Sequence, residues 1–227
     1  MSTQPTNSSH DLNIVILGES DVGKSSLTDR FVFNKHMVRY DPFGPAIPGA
    51  GSEFSSCRAL DVDGELWNIY IEDLSTTPMR LREPGFRADV WEERLRKADG
   101  IVLLYDVTDE KSYESITEKG WIHVWECRRA EDANGVRYPT AGTKVDLVQG
   151  EKSKKREVRK SLAEEWASIL GLKAFEVDAY DKERLEDMMR ALVRRIKRAR
   201  QRDAEDIEIV KKRSKPEKQD ISVALET

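Results

Sequence analysis

From Gly18 to Ser25 the chain reads Gly18-Glu19-Ser20-Asp21-Val22-Gly23-Lys24-Ser25, two glycines and then a lysine and a hydroxyl. In this G-x-x-x-x-G-K-S pattern each residue type has a task in holding a phosphate chain. The glycines allow a tight loop, Gly18 through Ser20, Asp21, Val22 and Gly23, whose backbone N–H groups turn inward toward phosphate oxygens. Lys24 reaches the terminal phosphates and the Ser25 hydroxyl ligates magnesium. A helix starting here, with Ser26 in its first turn, presents its positive end to the same anion. Asp21 works against this chemistry. A carboxylate inside the loop weakens binding or speeds release unless it points to solvent.

A phosphate loop alone does not choose between adenine and guanine. The stretch Thr143-Lys144-Val145-Asp146 lies about 120 residues further on, directly after an expected core strand. A carboxylate there can accept hydrogen bonds from the N1–H and 2-amino group of guanine. Adenine offers an acceptor at N1 and no 2-amino group, so it would leave that carboxylate unpaired. Sites built on such pairing reject the wrong partner by several orders of magnitude.

These residues need elements to position them. Leu12 to Leu17 is a short aliphatic run ending at Gly18, the pattern of a strand buried on both faces. A helix follows Gly23, with Leu27 and Phe31 on one side. The stretch from His36 to Ser52 is an irregular loop rich in Pro and Gly. Phe54 to Leu60 and Glu65 to Ile71 form a hairpin turned at Asp63-Gly64. The pattern continues as helix from Ala88 to Lys97, strand from Ile101 to Val107, helix from Ser112 to about Arg129, and strand from Tyr138 to Lys144. Glu157 to Leu170 is helical with Gly171 as its cap, and Ala174 to Val177 is a short strand. Leu185, Met188, Met189, Leu192, Val193 and Ile196 share one face of a last helix. Such alternation predicts an α/β fold, a mostly parallel sheet with helices on both faces and one antiparallel hairpin strand.

With these pieces in place, the chain resembles a Ras-superfamily small GTPase over roughly Leu12 to Arg198. The resemblance rests on the phosphate loop, Tyr40-Asp41-Pro42, Asp73, Leu103-Leu104-Tyr105-Asp106-Val107-Thr108-Asp109, Thr143-Lys144-Val145-Asp146 and a degenerate Val177-Asp178-Ala179. It implies a P-loop NTPase three-layer fold with a six-stranded sheet and about five helices. It also implies GTP or GDP as bound ligand and Mg2+ held by Ser25 and Asp73. Lys144 would pack its stem along the base while Asp146 reads guanine. The Ala179 backbone N–H would support the base, with Asp178 and Tyr180 replacing the family's serine and lysine. His36 falls where an aromatic covers guanine.

The second switch departs from the family's D-x-x-G-Q. Here it is Asp73-Leu74-Ser75-Thr76-Thr77, with Thr76 at the glycine and Thr77 at the glutamine. In this superfamily that glutamine orients the attacking water, and a threonine lacks its paired donor and acceptor. In the first switch the magnesium-binding threonine is replaced by Phe43, or by Ala46 if the loop is realigned. Lys24 and Thr77 are therefore the catalytic candidates for cleaving GTP to GDP and phosphate. Hydrolysis should be slower than in a complete member by roughly 10–1000-fold. One alternative is a catalytically impaired pseudo-GTPase, a protein-interaction module with structural nucleotide. Another is a phosphotransferase using Arg80, Arg82 and Arg87 as a lid.

The 227 residues are expected to divide into a disordered tail at 1–11, a G domain at 12–202 and a charged flexible tail at 203–227. Lys and Arg number 38 against 42 Asp and Glu, a formal charge of -4 that gives no argument for nucleic acid. No apolar run is long enough to span a membrane, and there is no secretory signal. Cys57 and Cys127 make neither a disulfide framework nor a zinc site. The last residues carry no cysteine for prenylation. The expected location is cytoplasmic, with Lys211-Lys212-Arg213-Ser214-Lys215 available to touch the inner face of the plasma membrane. Arg194, Arg195, Lys197, Arg198 and Arg200 read as the exposed face of the last helix, Trp121, Ile122 and Trp125 as core, and His123 has no visible partner. Effector and regulator proteins, an exchange factor and an activating protein, are the expected partners.

Overall fold

A computed structural model describes residues 10–34, 57–77, 87–128, 139–148 and 154–213. The strands are β1 (Asp11–Gly18), β2 (Cys57–Val62), β3 (Glu65–Ser75), β4 (Gly100–Asp106), β5 (Pro139–Thr143) and β6 (Lys173–Glu176). They lie in one sheet, in the order β2-β3-β1-β4-β5-β6. Among these strands only β2 and β3 pair antiparallel; the other neighbours are parallel. Asp63 (φ 56°) and Gly64 (φ 82°) both adopt the left-handed conformation that a two-residue hairpin turn needs.

The helices are α1 (Lys24–Phe33), α2 (Ala88–Lys97), α3 (Glu110–Glu114), α4 (Trp121–Arg128), α5 (Lys160–Ile169) and α6 (Lys182–Arg213). A π-helical turn, Ser115–Gly120, joins α3 to α4. The mixed sheet thus carries helices on both faces. Its central strand shows why. In β1, Leu12, Ile14 and Ile16 point into one core cluster with Leu27, Phe31, Leu192 and Ile196. Val15 and Leu17 point into the other with Trp91, Leu95, Tyr113 and Ile116. Successive side chains of a strand face opposite ways, so an unbroken aliphatic run is stable only when both faces are covered. Strand β4 is buried at every residue and divides in the same manner. Each large apolar side chain so buried contributes about 1.5–3 kcal/mol.

Helix ends follow local chemistry. Gly171 (φ 66°) closes α5: its N–H donates to the Ser168 carbonyl and that of Leu172 to the Ala167 carbonyl, the double bond of a Schellman cap. Asp181 Oδ1 accepts the Arg184 N–H at 3.0 Å and starts α6.

Some expectations need correction. Helix α5 begins at Lys160 rather than Glu157: Arg159 is extended (φ -68°, ψ 136°), and the Glu157 and Val158 N–H groups tie the preceding residues to the Val107 carbonyl. The expected tail from residue 203 is helical as far as Arg213, continuing α6. Ile122 is 52 % and Trp125 49 % exposed, so only Trp121 of that group packs inward, edge-on against Trp166. The exposed basic face expected of the last helix is present, with Lys197 and Arg198 exposed, and several of its side chains are also paired: Arg194 with Asp63, Lys197 with Glu65, Arg200 with Asp99, and Arg195 with the Gly171 carbonyl. Among the described residues no helix is long and apolar enough to cross a membrane.

Candidate nucleotide site

Parallel pairing brings the carboxyl ends of β1, β3, β4 and β5 to one edge of the sheet. Gly18 stands opposite Ser75, and Asp106 opposite Thr143. A sheet whose chain runs outward in both directions from β1 opens a crevice at that point. The loop Gly18–Gly23 fills it. A side chain on Gly18 would place its Cβ 2.5 Å from the Leu104 carbonyl oxygen, so only glycine fits. Gly23 (φ 97°) and Asp21 (φ 63°) take left-handed backbone. Gly23 precedes α1 with no side-chain cap, leaving the first amides of the helix without that partner. An anion is the natural complement of such an end.

Lys24 is buried at the start of α1, its Nζ donating to the Glu19 carbonyl at 2.7 Å. Burial pushes its ammonium below the ordinary lysine value, against the pull of Asp73, Asp21 and Glu19. Ser25 Oγ donates to Asp73 Oδ2 at 2.8 Å. Asp73 is exposed at the strand end, yet the protein crowding its carboxylate raises its pKa against the Ser25 bond and the Lys24 charge. A hydroxyl and a carboxylate side by side, both hard oxygen donors, suit Mg2+, which takes one or two protein ligands and completes its shell with phosphate and water. The two residues named for the metal thus fit that ion.

The second-switch stretch is stitched onto the phosphate loop. The Thr76 N–H donates to the Gly18 carbonyl at 3.0 Å. Thr77 Oγ1 accepts the Ser20 N–H at 2.8 Å and donates to Glu19 Oε2 at 2.5 Å. Ser115 Oγ, from the π-helical turn, donates to Glu19 Oε1. Glu19, 9 % exposed, therefore has a hydroxyl on each carboxylate oxygen. Sequence reasoning gave Glu19 no role; a charged residue between a buried strand and a buried lysine was the available signal.

On the base side, Thr143 is a structural clamp. Its hydroxyl lies 2.6 Å from the Val22 carbonyl oxygen and 2.8 Å from that of Tyr105, donating between them. This joins the β5 end to the phosphate loop. Lys144 (φ 58°) pairs through Nζ with Asp106 Oδ2 at 2.7 Å. Asp106 also accepts the Thr108 N–H and hydroxyl, so its side chain organises the loop after β4. Asp146 is placed by its backbone in the 3-10 turn Val145–Val148. Asp178 Oδ1 accepts the N–H groups of Tyr180 (2.8 Å) and Asp181 (2.7 Å), holding the Ala179 loop in a tight turn. Arg30 of α1 reaches the Tyr180 carbonyl at 3.4 Å. Ser26 lies in the first turn of α1. His36, Tyr40 to Ala46, Arg80 and Arg82 lie outside the described residues. Arg87 is occupied by a bidentate pair with Asp89.

Comparison with known proteins bears on this arrangement. The Ras family model matches residues 85–198, half of the chain. The chain belongs to the Ras family. It is 28 % identical over 184 residues to GTP-binding protein ypt1 of Schizosaccharomyces pombe, covering 81 % of this chain and 79 % of that protein. It is also 28 % identical over 188 residues to Ras-related protein Rab-13 of Bos taurus, covering 82 % and 80 %. The phosphate loop after β1 is therefore the P-loop of a Ras-like small GTPase fold. In this chain Thr77 is bonded to the P-loop itself.

Proposed function

We propose that this Ras-family chain binds GTP and GDP with Mg2+ as a signalling switch that hydrolyses GTP slowly. The supporting observation is the Ser25–Asp73 pair, 2.8 Å apart beside buried Lys24, at the end of a helix with no side-chain cap. Lys24 and the loop amides bind the phosphates, and Ser25 with Asp73 orients Mg2+, which neutralises charge on the β- and γ-oxygens when bound. Asp146 accepts the two guanine hydrogen bonds, the Ala179 amide supports the base, and Lys144 flanks it. Slow hydrolysis is supported by Thr77. Its hydroxyl is committed to Glu19 and Ser20, and it lacks the amide that holds the attacking water in the family.

The test is a competition titration of purified chain with GTP, GDP and ATP in magnesium, alongside single-turnover hydrolysis. Guanine nucleotides should bind and ATP should not, and Asp146→Ala should erase the preference. Phosphate release should exceed the spontaneous rate yet fall roughly 10–1000-fold below that of a complete family member. Equal binding of ATP would overturn the base assignment, and release no faster than the spontaneous rate would overturn the enzymatic one. Exchange factor, activating protein and effector are the regulators this reading calls for, and the inner face of a membrane is where the basic run at Lys211 would bring it.

A further inference from the structure

We propose that Glu92, His123 and Cys127 form a binding site for a zinc-class divalent cation, fastening α2 to α4. His123 and Cys127 stand one turn apart on the same face of α4, and Glu92 faces them from α2. The three residues are half-buried, and their donor atoms all lie within 4.8 Å of one another. His123 Nε2 is 3.6 Å from Glu92 Oε1. Tetrahedral donors at zinc distances of about 2.0–2.3 Å stand roughly 3.3–3.8 Å apart, so this pair already has the required spacing. The thiol lies within 4.8 Å of both other donors.

The surroundings hold the donors in position. Arg96 takes the other carboxylate oxygen of Glu92 at 2.9 Å and leaves Oε1 directed at the imidazole. The Trp91 ring meets the His123 ring edge-on at 5.2 Å and fixes its plane. Such outer partners are typical of built metal sites. One sulfur, one nitrogen and one oxygen select a borderline or soft cation over Mg2+ or Ca2+, and a solvent water supplies the fourth ligand. On binding, the sulfur–metal bond forms as the Cys127 thiol releases its proton to solvent. The site is chemically distinct from the all-oxygen pair Ser25 and Asp73. A His123–Glu92 contact beside a half-buried thiol is the plainer alternative, and it predicts no sulfur–metal bond.

Cobalt(II) added to the full chain in magnesium buffer distinguishes the two, because thiolate–cobalt charge transfer absorbs in the near ultraviolet and oxygen ligands do not. The expected result is a band saturating at one cobalt per chain, displaced by zinc. Cys127→Ser should abolish it, His123→Gln and Glu92→Gln should weaken binding by more than the roughly 10–100-fold that losing an outer partner costs, and Cys57→Ser should leave it unchanged. Zinc should raise the Tm of the wild type and not that of Cys127→Ser. Glu92→Gln alters a half-exposed residue, so it keeps the test valid if a helix α4 variant fails to fold. A wild type without the band, or a band that survives in Cys127→Ser or vanishes in Cys57→Ser, overturns the proposal.

Discussion

The Thr77 hydroxyl accepts the Ser20 amide at 2.8 Å and donates to Glu19 Oε2 at 2.5 Å, closing the second switch onto the P-loop. Replacing Thr77 with glutamine exchanges that closure for an amide able to hold water. Single-turnover phosphate release should rise by about 10–100-fold in Thr77→Gln, since one positioning group is worth up to roughly 10²–10³. An unchanged rate would show that this position does not limit hydrolysis.

Thr143 links two buried carbonyls, those of Val22 and Tyr105. Thr143→Val keeps the shape and removes the donor. The expected cost is about 1–3 kcal/mol, a Tm loss of roughly 2–12 °C for a chain of this size. Calorimetry without nucleotide isolates this effect. A Tm equal to wild type would mean the clamp contributes nothing.

Lys24 separates binding from stability. Burial disfavours its charge, so the nucleotide-free fold gains little from it. Lys24→Met should change the nucleotide-free Tm little, relief of the buried charge offsetting the lost bond to the Glu19 carbonyl, while weakening GTP and GDP by roughly 10–150-fold, the worth of one charged hydrogen bond. Parallel melting and titration check both halves.

Glu186 gives a pH prediction. Burial acts to raise its pKa, but Arg58 at 2.5 Å, with Lys182 and Arg190, brings it below the ordinary glutamate value. A depressed folded pKa means the unfolded chain binds the proton more readily. The stabilisation is therefore fully present above the unfolded value near about 4.3 and is lost as pH falls through the folded one. Wild type should exceed Glu186→Gln in stability near neutrality, and the gap should close on acidification below that value. Denaturant melts of both proteins across that range measure it.

Much of the architecture could be read from local rules. Leu12 to Leu17 announced a strand covered on both faces, Asp63-Gly64 a hairpin, and Ala88 to Lys97 the limits of α2. The meeting of Ser25 with Asp73 was legible too, because both carry family positions. What escaped were contacts made across the fold. The Thr143 hydroxyl bonds to Val22 and Tyr105 could not be foreseen before β5 was placed beside the P-loop. Glu19 and Ser115 are 96 residues apart and meet only because the π-helical turn lies behind the loop. His123 showed no partner in sequence, since Glu92 and Trp91 come from another helix. The clasps on Arg194 and Lys197 needed the hairpin turn placed against α6.

Beyond Asp203 nearly every residue of α6 is exposed, yet the helix runs on through Arg213. Ten residues, 204–213, at about 1.5 Å each make a spacer of roughly 15 Å. A fluorophore or fusion joined at Arg213 would ride on a stiff outrigger instead of a slack string. Its distance to the sheet would then report a narrow distribution, and inserting a glycine pair near Asp206 would broaden it.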